Sequence, residues 1–368
     1  MLASLLHDWI QISKYLCIFP WQPEPVPSPC LLSNLMKTMP LQTLRTPLAT
    51  ALLSALALVA AAQASAQGAG AWPSKPIRIV VPFQAGSATD LLSRQVGAGL
   101  STSLGQPVLV ENKPGAAAMI GSDTAARAPG DGYTLLMSGP ASMVTNRFLY
   151  KKLSYNPDAF EKVAIVAVTP NVLLANPSLP FSTLAEMVAY AKANPGKLTY
   201  ASFGAGTTSH MAGEFLRQAA GIDIVHVPYK GAAEAIPALI SGQVSLYFDT
   251  IMTALPQVKA GKLRALGVST ASRAAMAPDI PTIAEQGYPG FDIAPWYGIV
   301  ASHGTPPAVV SRLNTEINKL LNTPEFRERL VATGAEARGG SVADFEAFVK
   351  TEVPRTEKLV RQAAIALQ

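Results

Sequence analysis

Two short loops of the sequence combine glycine with hydroxyl side chains, a composition that suits the binding of a small oxyanion. The first loop, residues 84–90, carries Gly86, Ser87 and Thr89, and the second, residues 204–209, carries two glycines followed by three consecutive hydroxyl residues. Glycine lets the backbone approach a ligand closely, and hydroxyl and backbone N–H groups donate hydrogen bonds to it. A few neutral donors of this kind support affinity near the micromolar level and still allow release.

Each loop lies between a predicted strand and a predicted helix. Residues 77–83 are a short, mostly apolar run typical of a buried strand, and after the first loop leucine and valine recur every four positions up to residue 104, as in a helix. Residues 198–203 and 209–220 repeat this order around the second loop. Because a helix N-terminus exposes unpaired N–H groups and the positive end of the helix dipole, both loops favour an anion. The second loop lacks the Gly-Lys-Ser/Thr ending and the third glycine of nucleotide-binding motifs, so we expect no nucleotide.

Four further side chains near these elements are candidates for the same site, each with a structural alternative. Asp90, like Ser87 and Thr89, contacts the ligand or caps the helix. Asp249, which follows a predicted strand, accepts a ligand group or caps the next helix. His210 contacts the ligand, or hydrogen-bonds the second loop and packs between helices, and Tyr229 lines the cleft or is structural. The complete set of candidate ligand-binding residues is Phe83, Ala85, Gly86, Ser87, Thr89, Asp90, Gly204, Gly206, Thr207, Thr208, Ser209, His210, Tyr229 and Asp249.

The N-terminal region predicts secretion. A charged start after Met36 leads into an apolar run of about 15 residues, too short to span a membrane, and then into the small side chains of Ala64 and Ala66. We interpret residues 36–66 as a signal peptide cleaved after Ala66, which predicts a periplasmic location. Residues 1–35 are interpreted as an untranslated or unstructured extension, since a start at Met1 would place the signal inside the chain.

Composition argues against several classes of function. The net charge of +5 is mild for 368 residues and no basic run with interleaved aromatic residues is present, so we expect no nucleic-acid partner. Both cysteines, Cys17 and Cys30, lie in the segment predicted to be removed, and we expect neither a metal nor a cofactor.

Catalysis by Ser209, His210 and Asp249, as in a secreted hydrolase or lyase, is an alternative to binding. Neighbouring residues on a helix point about 100 degrees apart, so Ser209 and His210 would not face each other. The sequence also has no Gly-x-Ser-x-Gly and no His-Glu-x-x-His pattern. We therefore expect a protein that is not an enzyme.

Predicted strands alternate with predicted helices along the rest of the chain, which indicates an α/β fold with mainly parallel sheets flanked by helices. We place two extended crossings between lobes near residues 171–177 and 292–302. The first lobe is then formed by residues 67–173 and 295–368, and the second by residues 174–294.

Eight short motifs, in order, resemble the Bug-type substrate-binding proteins of tripartite tricarboxylate transporters, from about Trp72 to the C-terminus. The motifs are WPSKPI with VPF (residues 72–83), ENKPGA (111–116), PGDGYTL (129–135), SFGAGTTSH (202–210), HVPYKG (226–231), FD (248–249), PTIAE (281–285) and WYG (296–298). The family usually has Pro-Gly-Gly where this chain has residues 84–87. The resemblance implies a two-lobed fold like that of periplasmic binding proteins, joined by two crossings. Family members have the same tryptophan at Trp296, which we expect to pack at the hinge first and to contact the ligand second.

The resemblance also implies the function. We expect a monomeric periplasmic protein that captures a small organic carboxylate in the cleft and delivers it to a membrane transporter. A sensory relay, in which the closed lobes contact a signalling receptor instead, is an alternative that the sequence leaves open.

Overall fold

A computed structural model describes residues 72–363 and residue 365, and these residues fold around two β-sheets. The predicted signal peptide, residues 36–66, and the extension before it, residues 1–35, lie outside the described residues. Among the residues that are described, no helix is both long and apolar enough to cross a membrane.

The first sheet contains six strands in the order β11-β4-β10-β3-β1-β2. Its strands are β1 Ile77–Val81, β2 Val108–Asn112, β3 Thr134–Ser138, β4 Glu161–Val168, β10 Trp296–Ala301 and β11 Glu336–Ala337. β1 pairs in parallel with β2 and β3, whereas β10 runs antiparallel to both of its neighbours. The sheet is therefore mixed, because a strand that returns from the other lobe enters it in the opposite direction.

The second sheet contains five strands in the order β7-β6-β8-β5-β9. These strands are β5 Asn171–Ala175, β6 Leu198–Ser202, β7 Ile224–Pro228, β8 Leu246–Thr250 and β9 Arg264–Val268. β6 is parallel to β7 and β8, and β5 is antiparallel to β8 and β9. Parallel pairing holds among β1, β2 and β3 and among β6, β7 and β8, and the two loops of interest follow β1 and β6.

Helices pack on both sheets. They are α1 Ala88–Leu104, α2 Met119–Ala126, α3 Asn146–Leu149, α4 Leu184–Ala193, α5 Thr208–Ala220, α6 Ala232–Ile240, α7 Ile251–Lys259, α8 Pro307–Leu321, α9 Pro324–Ala332 and α10 Val342–Gln362. α1 shows why these segments fold as they do: Leu92, Val96 and Leu100 form one fully buried stripe against β1, and Gly105 ends the helix in the left-handed conformation.

The chain crosses between the two sheets earlier than the sequence predicts. Residues 171–175, placed at the first crossing, form β5 inside the second sheet, where Val172 pairs with Asp249 on one side and Val268 on the other. The crossing is the short link at residues 169–170. Residues 296–301, placed in the second crossing, form β10 of the first sheet. The N–H of Thr169 donates to the carbonyl of Pro295 at 3.1 Å, so the two crossings lie side by side.

The C-terminal helix α10 contacts both lobes. Phe345 and Val349, in its first half, are buried in the core of the first lobe, while Val360 is buried among core residues of the second. Arg355 lies between them and donates to the carbonyl and the carboxylate of Asp292, beside the second crossing, at 2.6 and 2.8 Å. α10 is therefore a third connection between the lobes besides the two crossings.

Candidate functional site

Helices α1 and α5 begin at the same cavity, one from each lobe. Ser87 precedes α1 and Thr207 precedes α5, and each accepts a hydrogen bond from the backbone N–H three residues later, at 3.3 and 3.5 Å. Both capping residues and the first residue of each helix line the cavity, whose volume is about 50 Å³. Room for several water-sized groups is thus enclosed between two helix N-termini.

The cavity is lined by hydrogen-bond donors that have no acceptor in the described part of the chain. The backbone N–H groups of Ala88, Thr89 and Thr208 have no acceptor among the described residues. Within that same part of the chain, the hydroxyls of Thr89 and Thr208 make no hydrogen bond, and both residues line the cavity. Together with the positive ends of two helix dipoles, these groups form a site for a small anion.

The rest of the cavity wall is largely apolar. Phe83 and Phe203 approach each other from opposite lobes, with ring centroids 6.2 Å apart and an interplanar angle of 61°. Trp296 and Tyr297, at the start of β10, complete the wall. The Trp296 ring is held edge-on by two phenylalanines of α10, with centroids 5.8 and 5.4 Å away. Apolar side chains lower the local dielectric, so hydrogen bonds made beside this wall are strengthened.

Sequence reasoning missed several residues of this wall. Phe203 follows β6 as Phe83 follows β1. Its equivalence to Phe83 could have identified Phe203 as a residue of the wall. Residues 137–142, at the end of β3 and just after it, also line the cavity. The signal there was again a strand end, since ligands of open α/β sheets bind beyond the carboxyl ends of the strands.

Of the residues predicted for the first loop, Phe83, Ser87 and Thr89 line the cavity, whereas Ala85, Gly86 and Asp90 do not. Asp90 is buried and organises the loop: its carboxylate accepts hydrogen bonds from the N–H of Gly86 and the side chain of Asn112, both at 2.9 Å, and it pairs with Arg94. Burial opposes ionisation, but the hydrogen bonds from Arg94, Gly86 and Asn112 prevail and lower the pKa of Asp90. Its role is to hold the loop in shape.

Thr207 and Thr208 of the second loop line the cavity, while Gly204, Gly206 and His210 shape the loop from behind. Both glycines have positive φ, 110° and 95°. The N–H of Gly206 donates to Nδ1 of His210 at 3.2 Å. Burial, with a contribution from His226, lowers the pKa of His210 to about 4, so its ring is neutral and available as an acceptor. The structure therefore places His210 in loop packing, one of the two roles considered for it.

Ser209, Asp249 and Tyr229 do not reach the cavity with their side chains. The Ser209 hydroxyl donates to the carbonyl of Phe248 at 2.5 Å. Asp249 is fully buried and accepts from the N–H of Thr250 at 2.8 Å and the hydroxyl of Thr253 at 2.7 Å, and burial raises its pKa to about 7. Ser209, His210 and Asp249 are thus hydrogen-bonded to separate partners rather than to one another.

Tyr229 lies farther out, at the mouth of the cleft. The mouth is a second hollow lined by Phe83, Ala117, Tyr150, Phe203, Tyr229 and Glu234. Because the Phe83–Phe203 pair borders both the mouth and the cavity, it separates the two spaces.

Residues 92–365 match the family described as "Tripartite tricarboxylate transporter family receptor". The chain belongs to this family. The predicted resemblance is therefore confirmed, and the match spans both lobes.

Solved structures agree in fold and sequence. The R. palustris protein Rpa4515, solved with adipate, is 36% identical, with a TM-score of 0.79 over 81% of this chain and 100% of its own. The periplasmic binding protein BugD is 36% identical, with a TM-score of 0.77 over 81% of this chain and 100% of its own. MatC from Rhodopseudomonas palustris, with bound malate, is 32% identical, with a TM-score of 0.75 over 78% of this chain and 100% of its own. The two-lobed α/β fold is confirmed, and the family is one of periplasmic binding proteins.

Proposed function

We propose that this chain is a periplasmic solute-binding protein that captures a small organic carboxylate between its lobes and delivers it to a tripartite tricarboxylate-type membrane transporter. One observation carries the proposal: the N-termini of α1 and α5, from opposite lobes, meet at a single cavity with unused N–H and hydroxyl donors. Closure of two lobes around the ligand is a hinge transition that the transporter can recognise. The adipate and malate bound to two related structures support the ligand class.

The donors are neutral, which suits a cargo that must be released. Among the described residues, no lysine or arginine side chain lines the cavity. A hydrogen bond to a charged group contributes about 1.5 to 3 kcal/mol, so a few of them reach the roughly −8 kcal/mol of micromolar binding after desolvation is subtracted.

Binding without catalysis is part of the proposal. The cavity combines donors with apolar walls, and the residues of the hydrolase alternative, Ser209, His210 and Asp249, are engaged separately within the fold. We further propose that the protein is secreted through the signal peptide at residues 36–66, cleaved after Ala66, and acts as a monomer.

A thermal-shift screen tests the ligand class. Mature protein is heated with a panel of mono-, di- and tricarboxylates, including adipate and malate, and with the amides of the same acids as matched controls. A ligand at 100 times its dissociation constant adds about 2.7 kcal/mol of stability, so a cognate acid raises the melting temperature and its amide does not. If only sugars, amines or the amides stabilise the protein, the carboxylate assignment is wrong.

Deletion of the gene distinguishes transport from sensing. Loss of uptake of the acid identified in the screen supports delivery to a transporter. Normal uptake with a lost transcriptional response would support the relay instead.

A further inference from the structure

A glutamine of the first lobe reaches across the mouth of the cleft to a glutamate of the second. The Nε2 of Gln84, in the loop after β1, donates to Oε1 of Glu234, in the first turn of α6, at 2.9 Å. The two residues are 150 positions apart and belong to elements of different sheets. Their hydrogen bond therefore joins the two lobes, and opening the cleft would break it.

The glutamine side chain is seated closely against the second lobe. A Cβ atom placed on Gly231, the residue before α6, would lie 2.9 Å from Oε1 and 3.3 Å from Cβ of Gln84. Oε1 itself is buried, with no hydrogen-bond partner in the part of the chain that the structure describes. The absence of a side chain at position 231 leaves the space that Gln84 occupies.

The carboxylate of Glu234 is held in position and ionised, so it can accept this hydrogen bond. Its second oxygen accepts from the backbone N–H of Lys230 at 3.3 Å, which fixes the carboxylate at the start of α6. The hydrogen bond from Gln84 and that from Lys230 lower the pKa of Glu234, so the acceptor is ionised at neutral pH. Charge-assisted hydrogen bonds are stronger than neutral ones.

The contact lies directly outside the aromatic pair that separates mouth and cavity. Phe83 precedes Gln84 in the chain and meets Phe203 across the cleft. A second polar contact across the mouth joins the hydroxyl of Tyr150 to the carbonyl of Ala205 at 3.4 Å. Opening of the cleft requires all of these contacts to separate together.

We propose that Gln84 and Glu234 form a latch that fastens the closed lobes over the loaded cavity and sets how long the ligand stays bound. The inference rests on the proposed function. A contact present in the closed state and absent from the open state shifts the equilibrium toward the closed state. Since the ligand first meets the open state, the latch acts on the dissociation rate rather than on the association rate.

Stopped-flow kinetics on single and double variants test the latch, with the acid that gives the largest thermal shift as the probe. Q84A and E234A are each expected to raise the dissociation rate roughly 3- to 10-fold, the effect of losing one solvent-exposed charge-assisted hydrogen bond, with the association rate within about 2-fold of wild type. The double variant is expected to dissociate no faster than the faster single variant. G231A, whose extended φ of 170° any residue adopts, should have the same effect by displacing Gln84.

K192A is the matched control. It removes an exposed charge of the second lobe, on α4, and leaves the hydrogen bond between Gln84 and Glu234 in place, so its dissociation rate should equal that of wild type. An unchanged dissociation rate in Q84A and G231A, or additive effects in the double variant, would overturn the latch while leaving carboxylate binding intact. If no acid binds the wild-type protein, the proposed function fails and the latch fails with it.

Discussion

The hydroxyl of Thr208 provides a selective test of the binding site. Thr208 is the first residue of α5, lines the cavity, and has a hydroxyl without a hydrogen-bond partner among the described residues. Substitution Thr208→Val replaces that hydroxyl by a methyl group of similar volume and leaves the backbone N–H groups in place. The change therefore removes one donor and little else.

The expected loss follows from the charge of the ligand. A hydrogen bond to a charged group contributes about 1.5 to 3 kcal/mol, and each 1.4 kcal/mol changes the dissociation constant tenfold. Thr208→Val should therefore weaken carboxylate binding about 10- to 150-fold. The stability of the ligand-free protein should change by less than about 0.5 kcal/mol, since no existing hydrogen bond is lost.

Isothermal titration calorimetry with the acid found in the thermal screen measures the effect. Thr89→Val makes the same change at α1 and should weaken binding by a similar factor. Thr102→Val is the control, because that hydroxyl is exposed and donates to the carbonyl of Ala98 within α1, away from the cavity. Wild-type affinity in both Thr208→Val and Thr89→Val would refute the assignment of these hydroxyls as ligand donors.

Three further predictions concern the loop and its buried titratable groups. Gly206→Ala should weaken binding at least tenfold by calorimetry, because its Cβ would lie 2.7 Å from Oδ1 of Asn146 at a φ of 95°; wild-type affinity would contradict this. The native state keeps His210 neutral until the pH falls to its pKa of about 4, whereas an unfolded histidine takes up its proton near pH 6.5. The free energy of unfolding should therefore be unaffected by this group above pH 6.5 and fall by about 3 kcal/mol as the pH is lowered to 4. Urea unfolding should show this loss in wild type but not in His210→Asn, and equal pH profiles would exclude it. The pKa of Asp249 is raised to about 7, so the free energy of unfolding should instead fall as the pH rises from 4 to 8, by about 4 kcal/mol relative to Asp249→Asn. If the difference in unfolding free energy between the two proteins is the same throughout that range, the pKa of Asp249 is not raised.

Local sequence patterns were sufficient to locate the two loops. The strand patterns before Phe83 and Phe203 and the hydroxyl residues that cap α1 and α5 are local signals, because strand formation and helix capping depend on neighbours in the chain. Membership of β5 in the second sheet was not accessible in this way. It depends on pairing with β8 and β9, which lie about 75 to 95 residues later.

The direction of individual side chains was also beyond sequence reasoning. Ser209 and Thr208 are adjacent hydroxyl residues of one helix turn, but only Thr208 lines the cavity, since the Ser209 hydroxyl bonds to Phe248. Asp249 lies next to the end of β8, where a ligand-binding residue of this fold could lie, but it is fully buried and its carboxylate accepts a hydrogen bond from Thr253. Which face of the helix or strand meets the cavity is decided by packing between elements distant in the chain.

A crystal structure of the mature protein with the acid from the thermal screen would show directly where the ligand binds. We expect a carboxylate group of the ligand to lie between the lobes and to accept hydrogen bonds, directly or through one water molecule, from the N-terminal N–H groups of α1 and α5. A ligand bound elsewhere, or bound in the cavity with its carboxylates turned away from both helix N-termini, would contradict this expectation.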